Sequence, residues 1–165
     1  MATKGLCTTT AFPVSLRPAM AEDMELLCAV YASTRAEELA VTDWSAEQKA
    51  QFCRQQFTAQ DAHYRTHYPT ARFSVIEREG LPIGRLFVDR WEKEIRIMDI
   101  ALLPAHRGAG IGTKLLHELQ DEARAAGKAL SIHVEKFNPA LRLYERLGFS
   151  RKEDKGVYLL MEWAA

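Results

Sequence analysis

The feature that most constrains this chain is a glycine-rich turn, AHRGAGIG, set between an apolar run from Ile95 to Leu103 and an amphipathic segment that ends at Gly127. Gly108, Gly110 and Gly112 stand at alternate positions. The backbone there is bare where the first, unpaired N–H groups of a helix point outward. The helix macrodipole adds roughly half a positive charge at that end, so a phosphate or pyrophosphate is the ligand such a place holds by backbone alone.

Spacing separates the anion sites that glycine loops build. A nucleoside-triphosphate loop needs Gly-Lys-Ser/Thr at the helix start, whereas here Gly112 is followed by Thr113 and Lys114. A dinucleotide loop needs G-x-G-x-x-G early in a βαβ unit, whereas this chain has G-x-G-x-G after an apparent β-meander. Both are disfavoured. On the loop alone, a glycine-rich connection that binds nothing stays open.

With 165 residues the chain is long enough for one domain with a sizeable core, expected over residues 14–165 behind a short loose leader, residues 1–13. Its 22 basic and 22 acidic residues cancel, which predicts no general attraction to nucleic acid or to an anionic membrane. Cys7, Cys28 and Cys53 are odd in number and far apart, and they show no metal-ligand spacing. A reducing cytoplasm is the expected setting, with no metal cofactor. There is no apolar run of membrane-spanning length, no repeat and no low-complexity tract.

Val14–Arg17 reads as a first strand, and Met24, Leu27, Cys28 and Tyr31 give the next segment one apolar helical face. Ser33–Trp44 breaks that pattern and reads as a polar connection carrying Arg35, Glu37, Glu38, Asp43 and Trp44, before Ser45-x-x-Gln48 caps a helix through about Gln60. Glu37, Glu38 and Trp44 are the candidates for lining a substrate mouth. His63 and His67 lack a third ligand at a metal-site spacing. From Arg72 the period becomes two: a strand, a turn at Glu79–Pro82, a strand Ile83–Arg90, and a third strand Ile95–Leu103. In the third, apolar residues shift from odd positions (Ile95, Ile97) to even ones (Met98, Ile100, Leu102), which predicts a β-bulge near Met98–Ile100. Ile111, Leu115, Leu116, Leu119 and Ala123 then form a helical stripe, and Ala129–Glu135 reads as a strand parallel to Ile95–Leu103. Val157–Trp163 is a last apolar strand.

A second pattern, FNPALRLYERLGF, spans Phe137–Phe149, with Asn138 as helix cap, Pro139 at the first turn and Gly148 as terminator. Arg107-x-x-Gly110-x-Gly112 resembles the acetyl-CoA pyrophosphate loop of the GNAT superfamily of N-acetyltransferases. Phe137–Phe149 resembles the segment that closes the cofactor site in the same family, and the two occur in the family's order on the expected elements. The resemblance covers residues 95–163 at motif level and only the order of elements before that. One departure is that the family asparagine stands seven residues before its tyrosine, whereas Asn138 stands six before Tyr144, with Phe137 at the family's position.

The resemblance implies an α/β fold with a mixed, mostly antiparallel sheet flanked by helices and splayed at a parallel strand pair. It also implies transfer of acetyl from acetyl-CoA to a small-molecule or peptide amine. Cofactor contacts are then expected from Ile100, Ala101, Leu102, Arg107, Gly108, Ala109, Gly110, Ile111, Gly112 and Thr113, and from Asn138 and Tyr144. Tyr144 resembles the family's general acid. An alkyl amine, whose ordinary pKa is about 10.4, also needs to lose a proton before attack. Asp99 at the bulge is the first candidate to take it, then His133, then Glu37 or Glu38. A non-catalytic acyl-CoA-binding module is the alternative function. Pairing of two copies along the last strand into a homodimer is left open.

Overall fold

A computed structural model describes residues 13–165, so the expected leader lies outside the described residues except for Pro13. The elements are β1 (Val14–Pro18), α1 (Met24–Ala40), α2 (Ala46–His67), β2 (Arg72–Arg78), β3 (Leu81–Arg90), β4 (Glu94–Leu102), α3 (Ile111–Ala126), β5 (Ala129–Glu135), α4 (Leu141–Arg146), β6 (Ser150–Asp154) and β7 (Tyr158–Trp163). One seven-stranded sheet runs in the order β1-β2-β3-β4-β5-β7-β6, antiparallel throughout except for the pair β4 and β5. This is the mixed, mostly antiparallel architecture that the family resemblance implies.

Each face of the sheet has its own apolar layer. On one side α3 and α4 bury Ile95, Ile97, Leu116, Leu119, Ile132 and Tyr144. On the other, α1 and α2 bury Leu27, Tyr31, Phe57, Val75 and Phe87. Strand alternation explains the split, because neighbours along a strand point to opposite faces.

The predicted bulge is present. Phe87 pairs with Asp99 and Val88 with Ile97, so Met98 is the extra residue in β4. Beyond it the parallel pairing also stops: β4 and β5 are in register only from Glu94–Ala129 to Ile97–Ile132. The second half of β4 thus turns away from β5 and leaves a wedge between them. Gly84 sits opposite Leu102 across β3 and β4, and a Cβ there would come within 2.3 Å of the Ala101 carbonyl. Glycine is what lets these two strands close beside the wedge.

Several boundaries differ from the sequence reading. α1 continues through Ala40, so Glu37 and Glu38 lie on a helix and not on a connection. The Ser33 and Thr34 hydroxyls bond back to the Val30 and Tyr31 carbonyls, which keeps these polar residues inside the helix, and Leu39 is buried at its end. α2 extends to His67, well past Gln60, after a Ser45–Gln48 capping box with both bonds formed. α4 is shorter than expected: Asn138 caps the turn before it by accepting from the Ala140 N–H at 2.9 Å, and the helix begins at Leu141. β6 was not legible, since all five of its residues are exposed and charged or polar. It, and not β7, is the sheet edge, so β7 is paired on both sides and has no free edge for a second copy.

Candidate functional site

Two cavities meet in the wedge. The larger, of about 610 Å³, runs from the glycine turn along the free half of β4 to α4, and is lined by Ile100, Ala101, Leu102, Arg107, Gly108, Gly110, Ile111, Gly112, Thr113, Asn138 and Tyr144 among others. Of the predicted cofactor contacts, Ala109 alone is not part of this lining. The smaller cavity, of about 180 Å³, lies toward α1 and α2. Thr34, Ile100, Ala101, Asn138 and Tyr144 line both.

The glycine turn has the form an anion site requires. Gly110 is the N-cap of α3 in a left-handed conformation, φ 81°, and Gly108 is left-handed too, φ 79°. A Cβ on Gly108, Gly110 or Gly112 would meet nothing, so bare backbone faces open space. The first helical bond of α3 is Lys114 N–H to the Gly110 carbonyl, and no acidic residue stands in the first turn. The N–H groups of residues 111–113 are therefore left for a ligand. A diphosphate fits this cradle by chemistry and by space. Arg107 is held beside it, donating to the Leu102 carbonyl at 2.9 Å and to Ser33 at 3.1 Å, which ties the turn to α1.

Tyr144 is buried between the cavities, its ring against Phe149. Gln120 on α3 donates to the Leu147 carbonyl and fixes the end of α4 from below. Burial, with the Asp99 carboxylate adding to it, pushes the Tyr144 phenol well above its ordinary value. The same causes, in the same order, act on Tyr64, whose hydroxyl lies 3.5 Å from the Met98 carbonyl of the bulge. Tyr144 thus keeps its proton at neutral pH.

The two leading candidates for a base are both engaged. Asp99 accepts from Arg85 at 2.6 Å, and this guanidinium, 2% exposed, also donates to Gln60 at 2.9 Å. His133 Nδ1 lies 3.2 Å from Arg96 Nη1. Because arginine only donates, Nδ1 accepts and the ring proton sits on Nε2. His133 thus lines the smaller cavity with its ring proton on Nε2. Burial, then the Arg96 charge, holds its pKa below the ordinary value.

Glu37 lines the larger cavity, whereas Glu38 lines neither and pairs with Arg35 of the smaller one. Trp44 packs edge-on against Phe52, also away from them. The sequence does not single out Arg85, and places Arg35 only on a polar connection. Arg85 did carry a signal: it is the one charged residue within the apolar run Ile83–Val88. Among the described residues no cluster of His, Cys, Asp and Glu is arranged to hold a metal, and no helix is long and apolar enough to cross a membrane.

Comparison with known proteins agrees with this geometry. The profile of the acetyltransferase (GNAT) family matches residues 35–149. Streptothricin acetyltransferase of Streptomyces lavendulae is 40% identical over 62 residues, which are 36% of this chain and 33% of that protein. IAA acetyltransferase of Azospirillum brasilense is 32% identical over 94 residues, 54% of this chain and 61% of that one. The chain thus aligns with between a third and two thirds of these relatives' length. The crystal structure of PaiA N-acetyltransferase from Thermoplasma acidophilum, in complex with coenzyme A, has a TM-score of 0.70 at 18% identity and covers 93% of this chain and 99% of its own. It shares the fold. Since the family profile extends from α1 to the end of the α4 segment, and so over the bulged strand, the glycine turn and Tyr144, the chain belongs to the acetyltransferase (GNAT) family.

Proposed function

We propose that this chain transfers the acetyl group of acetyl-CoA to a primary amine of a small molecule or peptide. The observation that carries the reading is the position of Tyr144, which lines both the large cleft and the small cavity beside Ile100 and Ala101 of the splayed strand. Family membership and relatives named as acetyltransferases support it.

Bound acetyl-CoA supplies an activated acyl thioester. The N–H groups of residues 111–113 receive its diphosphate, with Arg107 adding positive charge at the rim. The free edge of β4 at Ile100–Leu102 offers backbone groups that no neighbouring strand uses, suited to an extended amide-bearing arm and to polarising an acyl carbonyl. The acceptor enters from the α1 and α2 side. Its nitrogen bonds to the acyl carbon as the carbon–sulfur bond breaks. Asp99 meets the charge of the ammonium and takes one proton, directly or through a water; Tyr144 gives its own proton to the departing sulfur, and the second proton lost by the nitrogen returns to the Tyr144 oxygen.

A second reading, an acyl-CoA-binding module without turnover, is favoured by one observation: Asp99 and His133 are both occupied by arginines. The test is calorimetric titration of acetyl-CoA into wild type and Gly110→Glu, with a thiol-release assay over amine classes and Tyr144→Phe alongside. Binding abolished by Gly110→Glu, with thiol release that falls in Tyr144→Phe, is the result expected of the transferase. Binding without release for any amine identifies the module.

A further inference from the structure

The small cavity is rich in hydrogen-bond donors, and its two carboxylates are already answered. Asp99 is paired with Arg85 at 2.6 Å, and Glu135 with Arg35 at 3.3 Å. His133 adds an Nε2 donor, for the tautomeric reason given above. The Arg85 guanidinium is buried between strand and helix, lying 5.0 Å from the Phe87 ring centre and 5.8 Å from that of Tyr31. All its hydrogen bonds run through Nη2, and its buried Nε has no partner among the described residues. With each carboxylate matched by an arginine, the wall offers no net negative field to a polycation.

Resting on the transferase reading, we infer that the acceptor is a small zwitterion of the α-amino-acid class, its ammonium on Asp99 and its carboxylate received by Arg85, Arg35 and His133. The cavity's charges favour this over a bare or multiply charged amine. In Asp99 and Arg85 it places one anion and one cation side by side, as a mirror of the ammonium and carboxylate that an amino acid carries on one carbon. Arg35 is less buried, with its side chain 24% exposed, and lines the cavity from α1; its Nη1 bonds Glu38 at 3.0 Å and Glu135 at 3.3 Å and its Nε the Tyr31 hydroxyl, so Nη2 is the nitrogen it offers a ligand. Planar guanidinium groups are the side chains best shaped to hold a carboxylate through two parallel bonds. The volume of about 180 Å³ is enough to seat the head group of an amino acid.

The test is calorimetric titration of the protein, with and without saturating free CoA, using pairs that differ only in the carboxylate: phenylalanine with phenethylamine, histidine with histamine, arginine with agmatine. Spermidine is the polycationic control. At least one amino acid is expected to bind about tenfold or more tightly than its amine, the scale of one charge-assisted hydrogen bond. Arg35→Gln and Arg85→Lys should reduce that ratio toward one while leaving acetyl-CoA affinity unchanged. If Arg85→Lys does not fold, Arg35→Gln, at a more exposed position, carries the test. Equal or tighter binding of the amines or of spermidine by wild type overturns the inference, as does an undiminished ratio in the folded variants. Discrimination in binding with no thiol release would instead overturn the transferase reading and leave the carboxylate pocket standing.

Discussion

Tyr144 is a side chain whose surroundings set its chemistry. Burial and Asp99 raise its phenol above the ordinary value of about 10, so the proton stays on through neutral and mildly alkaline pH. Tyr144→Phe should therefore lower kcat by roughly a hundredfold with acetyl-CoA affinity unchanged, and the wild-type kcat profile should show no alkaline fall below about pH 10. His133 makes the opposite kind of prediction. Its folded pKa is depressed, so on acidification the unfolded chain takes up a proton near 6.5 before the folded one does. Stability contributed by the neutral ring is present above that value and lost as pH falls toward the folded pKa. Urea midpoints at pH 7.5 and pH 5 should differ less in His133→Gln than in wild type. Removing the Asp99 charge leaves the buried Arg85 cation with neutral partners such as the Gln60 amide oxygen, so Asp99→Asn should cost about 3 kcal/mol in the same urea experiment, whatever it does to activity.

At the level of elements, the site depends on how β4 is held. Its bulge at Met98 and its early parting from β5 create the wedge, and β3 supports the free half from the other side. Gly84 is the point of closest approach. A methyl group there would lie 2.3 Å from the Ala101 carbonyl and 2.9 Å from Leu102 Cδ2. Gly84→Ala should push the strands apart at a cost of about 1–3 kcal/mol and weaken acetyl-CoA binding measured by calorimetry, although residue 84 touches neither cavity. Edge strand β6 behaves differently: Arg151, Lys152, Glu153 and Asp154 are all exposed along it, a composition that discourages strand-to-strand association.

Across the whole molecule, the ligand cleft lies where the two halves of the sheet diverge, and few ties cross it. Arg107 to Ser33 and Arg35 to Glu135 join α1 to the glycine turn and to β5. A ligand filling the cleft adds contacts to both sides of the native state alone. At a hundred times its Kd, acetyl-CoA should stabilise the fold by about 2.7 kcal/mol and raise Tm by roughly 5–10 °C, a shift that Gly110→Glu removes. A scanning-fluorimetry series over acetyl-CoA concentration checks both statements.

The sequence alone determined the elements whose cause is local. The parity change from Ile97 to Met98 reports a bulge because strand side chains alternate, and the run Gly108 to Gly112 before an apolar stripe reports a helix start open to an anion. The Ser45 box reports its helix by the same logic. It did not report where α1 ends, because the hydroxyls of Ser33 and Thr34 can favour a turn or bond back within a helix, and packing of Leu39 chose the helix. Nor did it report the charged wall of the small cavity. Arg35, Arg85 and His133 come from a helix and two strands far apart in the chain, and the partners that fix their roles, Glu135, Asp99 and Arg96, are brought to them only when the sheet forms. A side chain's type is written locally, but what it pairs with, and so its charge and its protonation, is decided by the tertiary fold.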